Sequence, residues 1–224
     1  MKRIILTVAA IVFFLQSEAQ VFQVQNGTGA TSANMVFTPR DNKDNTEEFK
    51  KIAHKMYLTT AYLPAKVDNI DQTFYLRYNI FEDEMEFVKG EDILYLKKQA
   101  GRNVNFTGLD TKYKILNHNG DLQYFVVNSE GKASLLTKLV VKYYEAAPAK
   151  SSYQKAVPAD FKRRKDELYL MMGDDMMRIP SKKNSFLELF GDKSSDIKNF
   201  MKKNKLGTKK LEDVKKAVDY YNTL

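Results

Sequence analysis

From Phe74 to Ile80 every second residue is large and apolar (Phe74, Leu76, Tyr78, Ile80), while Thr73, Arg77 and Asn79 take most of the other positions. A period of two is what a half-buried strand requires. Met85 with Phe87, Tyr113 with Ile115, and Leu122, Tyr124 and Val126 repeat the pattern, as does the run Leu135, Leu139, Val141, Tyr143. Turn residues separate these runs: Glu82-Asp83-Glu84, Lys89-Gly90-Glu91, Asn119-Gly120 and Asn128-Ser129-Glu130-Gly131. Asn-Gly is the most informative, because both residues tolerate the positive φ of a two-residue hairpin. Strands this close together pair antiparallel, since a parallel return needs a crossover of about a dozen residues. The pattern predicts an antiparallel β-meander over residues 56–147, and it is compatible with an open sheet and with a barrel.

Pro148 and Pro158 then bracket a polar connector (148–159). Residues 160–224 read as one more hairpin, Leu168–Met172 and Met176–Ile179, followed by helices. Ser185–Phe190 is one, ended by Gly191. Ile197, Phe200 and Met201 mark a second, ended near Gly207. Leu211, Val214, Val218 and Tyr221, spaced three, four and three apart, mark a third with Thr208 as its N-cap. Upstream, residues 20–55 are polar apart from a short helix read from Phe49, Ile52, Ala53 and Met56, with Asn45 as its cap. Strands first and helices last give an α+β chain: a meander followed by a C-terminal group of short helices on a sheet face or in a small lobe.

The first 19 residues change where the chain is expected to work. Lys2 and Arg3 precede an uncharged apolar run, Ile4–Leu15, and Ser17-Glu18-Ala19 places small side chains where a signal peptidase reads them. The run has 12 residues, whereas a membrane span needs about 20. A cleaved signal peptide (1–19), export, and no transmembrane anchor after cleavage are therefore expected. There is no cysteine, which excludes disulfides, thiolate metal sites and cysteine nucleophiles. With 43% hydrophobic residues, the body is expected to fold by burial alone.

Charge is unevenly placed. Residues 20–149 carry 16 basic and 16 acidic side chains, whereas residues 150–224 carry 18 basic and 11 acidic ones. Lys202, Lys203, Lys205, Lys209 and Lys210 head a lysine-rich tail suited to acidic glycans or anionic head groups. Nucleic acid is not expected, since no aromatic is interleaved as a stacking platform. Tyr75, Arg77 and Asn79 share a strand face and offer a phenol, a guanidinium fork and an amide to a carboxylate or a sugar. A cross-strand pair of Arg77 with Glu86 that pins register is the plainer expectation. Met171, Met172, Met176 and Met177 flank a turn and are the one copper candidate, although alternation sends the members of each pair to opposite faces. His54 and His118 lack metal-ligand spacing, and no nucleotide, phosphate-loop or nucleophile motif is present. No cofactor or catalytic residue is assigned.

The succession Pro64-Ala65-Lys66-Val67 (read as a turn), Leu76-Arg77-Tyr78-Asn79-Ile80, Asp83-Glu84-Met85-Glu86-Phe87, Tyr124-Phe125-Val126-Val127, Leu135-Leu136-Thr137-Lys138, Lys203-Asn204-Lys205-Leu206 and Tyr220-Tyr221-Asn222 resembles a family of uncharacterised exported proteins of the Bacteroidota lineage. The resemblance covers roughly residues 66–224 and implies a Gram-negative periplasm or release outside. It brings no catalytic residue with it. The expected function is non-catalytic binding of a partner protein or an acidic envelope polymer. The alternatives are a small-ligand carrier with a barrel-like cavity, and a hydrolase acting on envelope polymers.

Overall fold

A computed structural model describes residues 37–39, 46–149, 151 and 153–224. The expected signal peptide (1–19), most of the polar segment before Thr46 and the expected Asn45 cap lie outside these residues.

The alternation that marks the strands marks the core as well. In β3 (Thr73–Asn79), Phe74, Leu76 and Tyr78 are buried on one face. They continue across β4 (Glu84–Lys89) through Met85 and across β5 (Asp92–Leu96) through Leu96. β1 (Phe37–Pro39) adds Phe37, whose ring lies 5.2 Å from Phe74 and 4.8 Å from Phe87. On the other side of β3 run β2 (Leu63–Val67), β6 (Asn103–Phe106), β7 (Thr111–His118), β8 (Asp121–Ser129) and β9 (Ser134–Lys138). Two later strands, β12 (Glu167–Met172) and β13 (Asp175–Arg178), pair onto β9. The eleven strands form one antiparallel sheet in the order β1-β5-β4-β3-β2-β6-β7-β8-β9-β12-β13. It is open, ending at β1 and β13 without closing into a barrel.

The sheet nevertheless curls. Tyr78 of β3 lies 4.9 Å from the Tyr113 ring of β7 and 5.6 Å from the Tyr124 ring of β8, although β2 and β6 intervene in the strand order. The inside of the curl is therefore filled by its own aromatic side chains. The Asn119-Gly120 hairpin forms as expected, with φ of 55° and 92° and with His118 opposite Asp121.

Several expectations are corrected. Pro64-Ala65-Lys66-Val67 is strand rather than turn: Ala65 and Val67 are buried between β3 and β6. Pro64 falls near the strand's start, where a missing N–H costs least. The run from Leu135 to Tyr143 is not one strand. It breaks after Lys138, and β10 (Val141–Tyr144) pairs instead with β11 (Asp160–Arg163) in a separate two-stranded sheet. Alternation misled here because β9 is buried on both faces, at Leu135, Leu136 and Thr137 alike. The first helix, α1 (Glu47–Ile52), is capped by Thr46, whose hydroxyl accepts from the Phe49 N–H at 3.2 Å. A 3-10 turn, Ala53–Met56, completes the approach to the sheet.

The C-terminal helices cover one sheet face. α2 (Lys183–Glu188), α3 (Ser194–Lys203) and α4 (Leu211–Thr223) pool Phe186, Leu187, Ile197, Met201, Val214, Ala217 and Val218 over Leu135 and Leu170. Each large apolar side chain fully buried there contributes about 1.5–3 kcal/mol. Thr208 is not the cap of α4. Lys210 holds that position without a side-chain bond, while the Thr208 hydroxyl donates to the Ser181 carbonyl at 2.8 Å. Nor does α3 run on to Gly207. Lys205 turns left-handed at φ 53°, the Leu206 N–H reaches the Met201 carbonyl at 2.9 Å, and the Lys205 N–H reaches Lys202 at 3.3 Å. These two bonds define a Schellman stop.

Candidate functional site

Tyr75, Arg77 and Asn79 do not form an open ligand site. Tyr75 is exposed, Asn79 is fully buried, and Arg77 lies between them. Register places Arg77 opposite Glu86, and the two bond through Nε at 3.0 Å and Nη2 at 2.5 Å, both to Oε2. Nη1 donates to the Thr60 carbonyl at 3.1 Å. The rings of Tyr57 and Tyr62 lie 4.0 and 4.4 Å from the guanidinium carbon. Burial opposes the Arg77 charge, but the hydrogen bond and charge of Glu86 outweigh it and hold the pKa above its ordinary value. On Glu86 the other oxygen accepts from Tyr57 at 3.0 Å and from Asn79 at 3.0 Å. Asn79 also donates to Glu82 at 3.1 Å. Each nitrogen of the fork is engaged inside the fold, so this set clamps residues 57–62 onto β3 and β4.

A second set of charges escaped the sequence reading because its members come from distant strands. Asp83, in the β3–β4 turn at φ 56°, accepts from Tyr78 at 2.5 Å and from Lys138 of β9 at 2.6 Å. Lys98 lies 3.4 Å from Asp83 and 3.0 Å from Glu84. Burial lowers the Lys138 pKa, with Asp83 working against the shift, and burial raises that of Glu84, with Lys98 opposing. The only sequence signal was the acidic turn Glu82-Asp83-Glu84. In the fold, Asp83 fastens the curled sheet to itself.

The lysine tail divides by role. Lys202 and Lys203 lie exposed in the last turn of α3, where positive charge suits the helix dipole. Lys205 forms the Schellman stop. Lys209 and Lys210 instead line a groove with residues from three other parts of the chain. One depression of about 530 Å³ is bounded by Lys165, Arg178, Ser181, Thr208 and Lys209. A second, of about 320 Å³, shares Ser181, Thr208 and Lys209 and adds Lys183 and Lys210. Thr208 fixes the loop to Ser181, and Asp213 accepts the Gly207 N–H at 3.0 Å. The groove's carboxylates are engaged within the fold. Asp166 pairs with Arg163 at 2.5 Å, Glu167 with Arg178 at 2.6 Å, and Asp213 with the Gly207 backbone. Among the described residues, Lys165, Lys183, Lys209 and Lys210 make no ion pair. Lysine density in sequence pointed here. The contributions of Lys165, Arg178 and Lys183 depend on how the chain folds back.

The four thioethers divide between the sheet faces. Met171 lies opposite Met176, and both pack beneath Phe125, Leu136 and Tyr169. Met172 packs on the helical side, and Met177 lies opposite Leu170, which faces the helices. Among the described residues, no group of three or more His, Asp or Glu side chains is placed to hold a metal ion, and no helix is long and apolar enough to cross a membrane.

The segments 76–79 and 220–222 have structural work in this fold. Leu76 is core, Arg77 meets Glu86, Tyr78 meets Asp83 and Asn79 meets Glu86. At the other end Tyr220 stacks on Phe200 at 4.1 Å, Tyr221 meets Phe190 at 5.1 Å, and Asn222 bonds the backbone of Ala133. The fold and groove define an open, curled antiparallel sheet with a basic helical flank. Comparison of the chain with protein-family models, curated proteins and solved structures yielded no match.

Proposed function

We propose that the protein is a non-catalytic protein of the cell envelope that holds an acidic polymer in the groove between the β12–β13 hairpin and the α3–α4 loop. One observation carries this reading. Lys165, Arg178, Lys183, Lys209 and Lys210 converge from four chain segments on two joined depressions whose carboxylates are already engaged. A cation row with its local anions spoken for attracts a polyanion along its length. The leader-like first 19 residues and the family resemblance support an exported setting, in a Gram-negative periplasm or outside the cell. A binding role rather than a hydrolytic one is favoured by Asp83 and Glu167, each held in an ion pair to a cation.

The test is binding of the purified chain to a uronic-acid polymer and to polyphosphate at low and high salt. Each lysine near such a surface contributes about 1 kcal/mol. The Lys209→Gln/Lys210→Gln pair is therefore expected to weaken binding roughly thirtyfold, and salt to weaken it further by screening. Equal affinity of the variant and the parent chain for both polyanions would end the proposal.

A further inference from the structure

We infer that the protein pairs with a second copy of itself along β13, the two antiparallel strands joining the sheets of both chains into one. The eleven-stranded sheet ends in two edges of different character. β1 is three residues long and ends in Pro39, which has no N–H to offer a further strand. β13 contains neither proline nor lysine, and it follows β12 without a bulge from Met172 opposite Asp175 to Tyr169 opposite Arg178. Among the described residues no strand pairs with its outer side. An edge left unblunted in this way is a template for another strand.

One bond fixes which backbone groups point outward. The Ile179 N–H reaches the Leu168 carbonyl at 2.8 Å, toward β12. Backbone groups alternate sides along an antiparallel strand, so those of Met177 also point to β12, and those of Met176 and Arg178 point to the open edge. Two identical strands paired in this way are related by a two-fold axis normal to the sheet. Centred on Asp175, that axis opposes two like carboxylates. Centred on Met177, it sets Met176 against Arg178 and Asp175 against Ile179, with no charges matched. Centred on Met176, it lets each Met176 exchange both backbone bonds with its mate, and it sets Asp174 of each copy against Arg178 of the other. Asp174 is exposed, and among the described residues it forms no ion pair. Arg178 is also exposed and gives one nitrogen, Nη2, to Glu167, which leaves Nε and Nη1 for the carboxylate. The strand is thus complementary to itself in one register, with opposite charges facing at both ends. This pairing stands without the acidic-polymer reading.

The experiment is sedimentation velocity over a concentration series on the full chain and three variants. The parent is expected to pass from monomer to dimer as concentration rises. Asp174→Arg and Arg178→Asp each bring like charges together twice per dimer, and each is expected to raise the dissociation constant about tenfold or more. Mixed one to one, the two variants match opposite charges again at both places, and the parent's dimer is expected to return. Met176→Pro removes an outward N–H without touching the ladder to β12, and it is expected to abolish pairing. Thermal melts check folding. Arg178→Asp also loses the pair with Glu167, and if it melts early, Asp174→Arg and Met176→Pro carry the test. A parent chain that stays monomeric throughout the series overturns the inference. So do variants that dimerise like the parent, and so does a mixture of folded variants that fails to pair.

Discussion

Lys205 occupies a backbone conformation that glycine takes at most helix ends. At φ 53° a Cβ crowds the following carbonyl, at a cost of about 1 kcal/mol. The flanking bonds to Met201 and Lys202, with Leu206 buried against Met201, hold it there. Lys205→Gly is therefore expected to raise stability by roughly 0.5–1 kcal/mol. The check is a urea midpoint that moves up with an unchanged slope. Sequence offered no hint of this role, because Gly207 two positions on looked like the natural terminator and Lys205 read only as charge. Arg77 shows the opposite case. Its pairing with Glu86 was legible from hairpin arithmetic, since residues facing each other across a tight turn are countable. The Tyr57 and Tyr62 rings that enclose the guanidinium were not, because they belong to a segment that folds back without periodicity of its own.

Buried phenols at the residue scale set a pH dependence. Burial pushes Tyr113 from 10.0 up to about 12, and it raises Tyr78 and Tyr124 well above the same ordinary value. These folded-state pKa values lie above the unfolded ones, so the folded chain binds more protons once the pH passes 10. Stability is then whole below pH 10 and falls as the pH climbs toward 12, by about 1.4 kcal/mol per pH unit for each fully buried phenol. Lys138 acts with opposite sign. Its pKa is lowered from 10.5, so its penalty is present below the folded value and disappears as the pH rises past the unfolded one. Three phenols outweigh one ammonium, and the expected net result is alkaline unfolding. Urea midpoints and tyrosinate absorbance measured together across this range are the check. A midpoint that stays level above pH 10 would contradict the burial assigned to these rings.

At the scale of elements, α4 is joined to the sheet by an amide acting as a strand partner. Asn222 accepts the Ala133 N–H at 2.8 Å and donates to the Ala133 carbonyl at 2.9 Å, the exchange a neighbouring strand would make. Gly131 is required for this approach, since a Cβ there would come within 2.6 Å of the Asn222 side chain. Asn222→Ala leaves a buried N–H unpaired and is expected to cost about 1–3 kcal/mol. Gly131→Ala is expected to destabilise the parent chain clearly and the Asn222→Ala chain little. A double-mutant cycle reads this coupling, and additive losses would show that the two residues act independently. The helices themselves were legible from their three-and-four spacing. Their docking was not, because a terminal asparagine and a loop glycine carry no period.

At the scale of the whole molecule, alternation revealed the meander and turn chemistry revealed its hairpins. What it left open was closure, and the sheet resolves this by curling while keeping two edges. Curl depends on contacts such as Tyr78 with Tyr113 and Asp83 with Lys138, which join strands far apart in the chain. The basic flank was legible as a charge excess. Its gathering into a groove was not, since three of its five cations, Lys165, Arg178 and Lys183, come from the β11–β12 loop, β13 and α2.

The polar connector joins the two arms of a long hairpin. Ala147 bridges Val157, β10 pairs with β11 behind it, and Tyr153 at the tip is fully exposed. Across this tip β9 and β12 are neighbours in one sheet. A protease that cleaves after aromatic residues would meet Tyr153 readily, yet the two pieces would remain laced together by ten or so ladder positions and by the helices packed over both. Two fragments divided at this position and made separately are expected to find each other and restore one body.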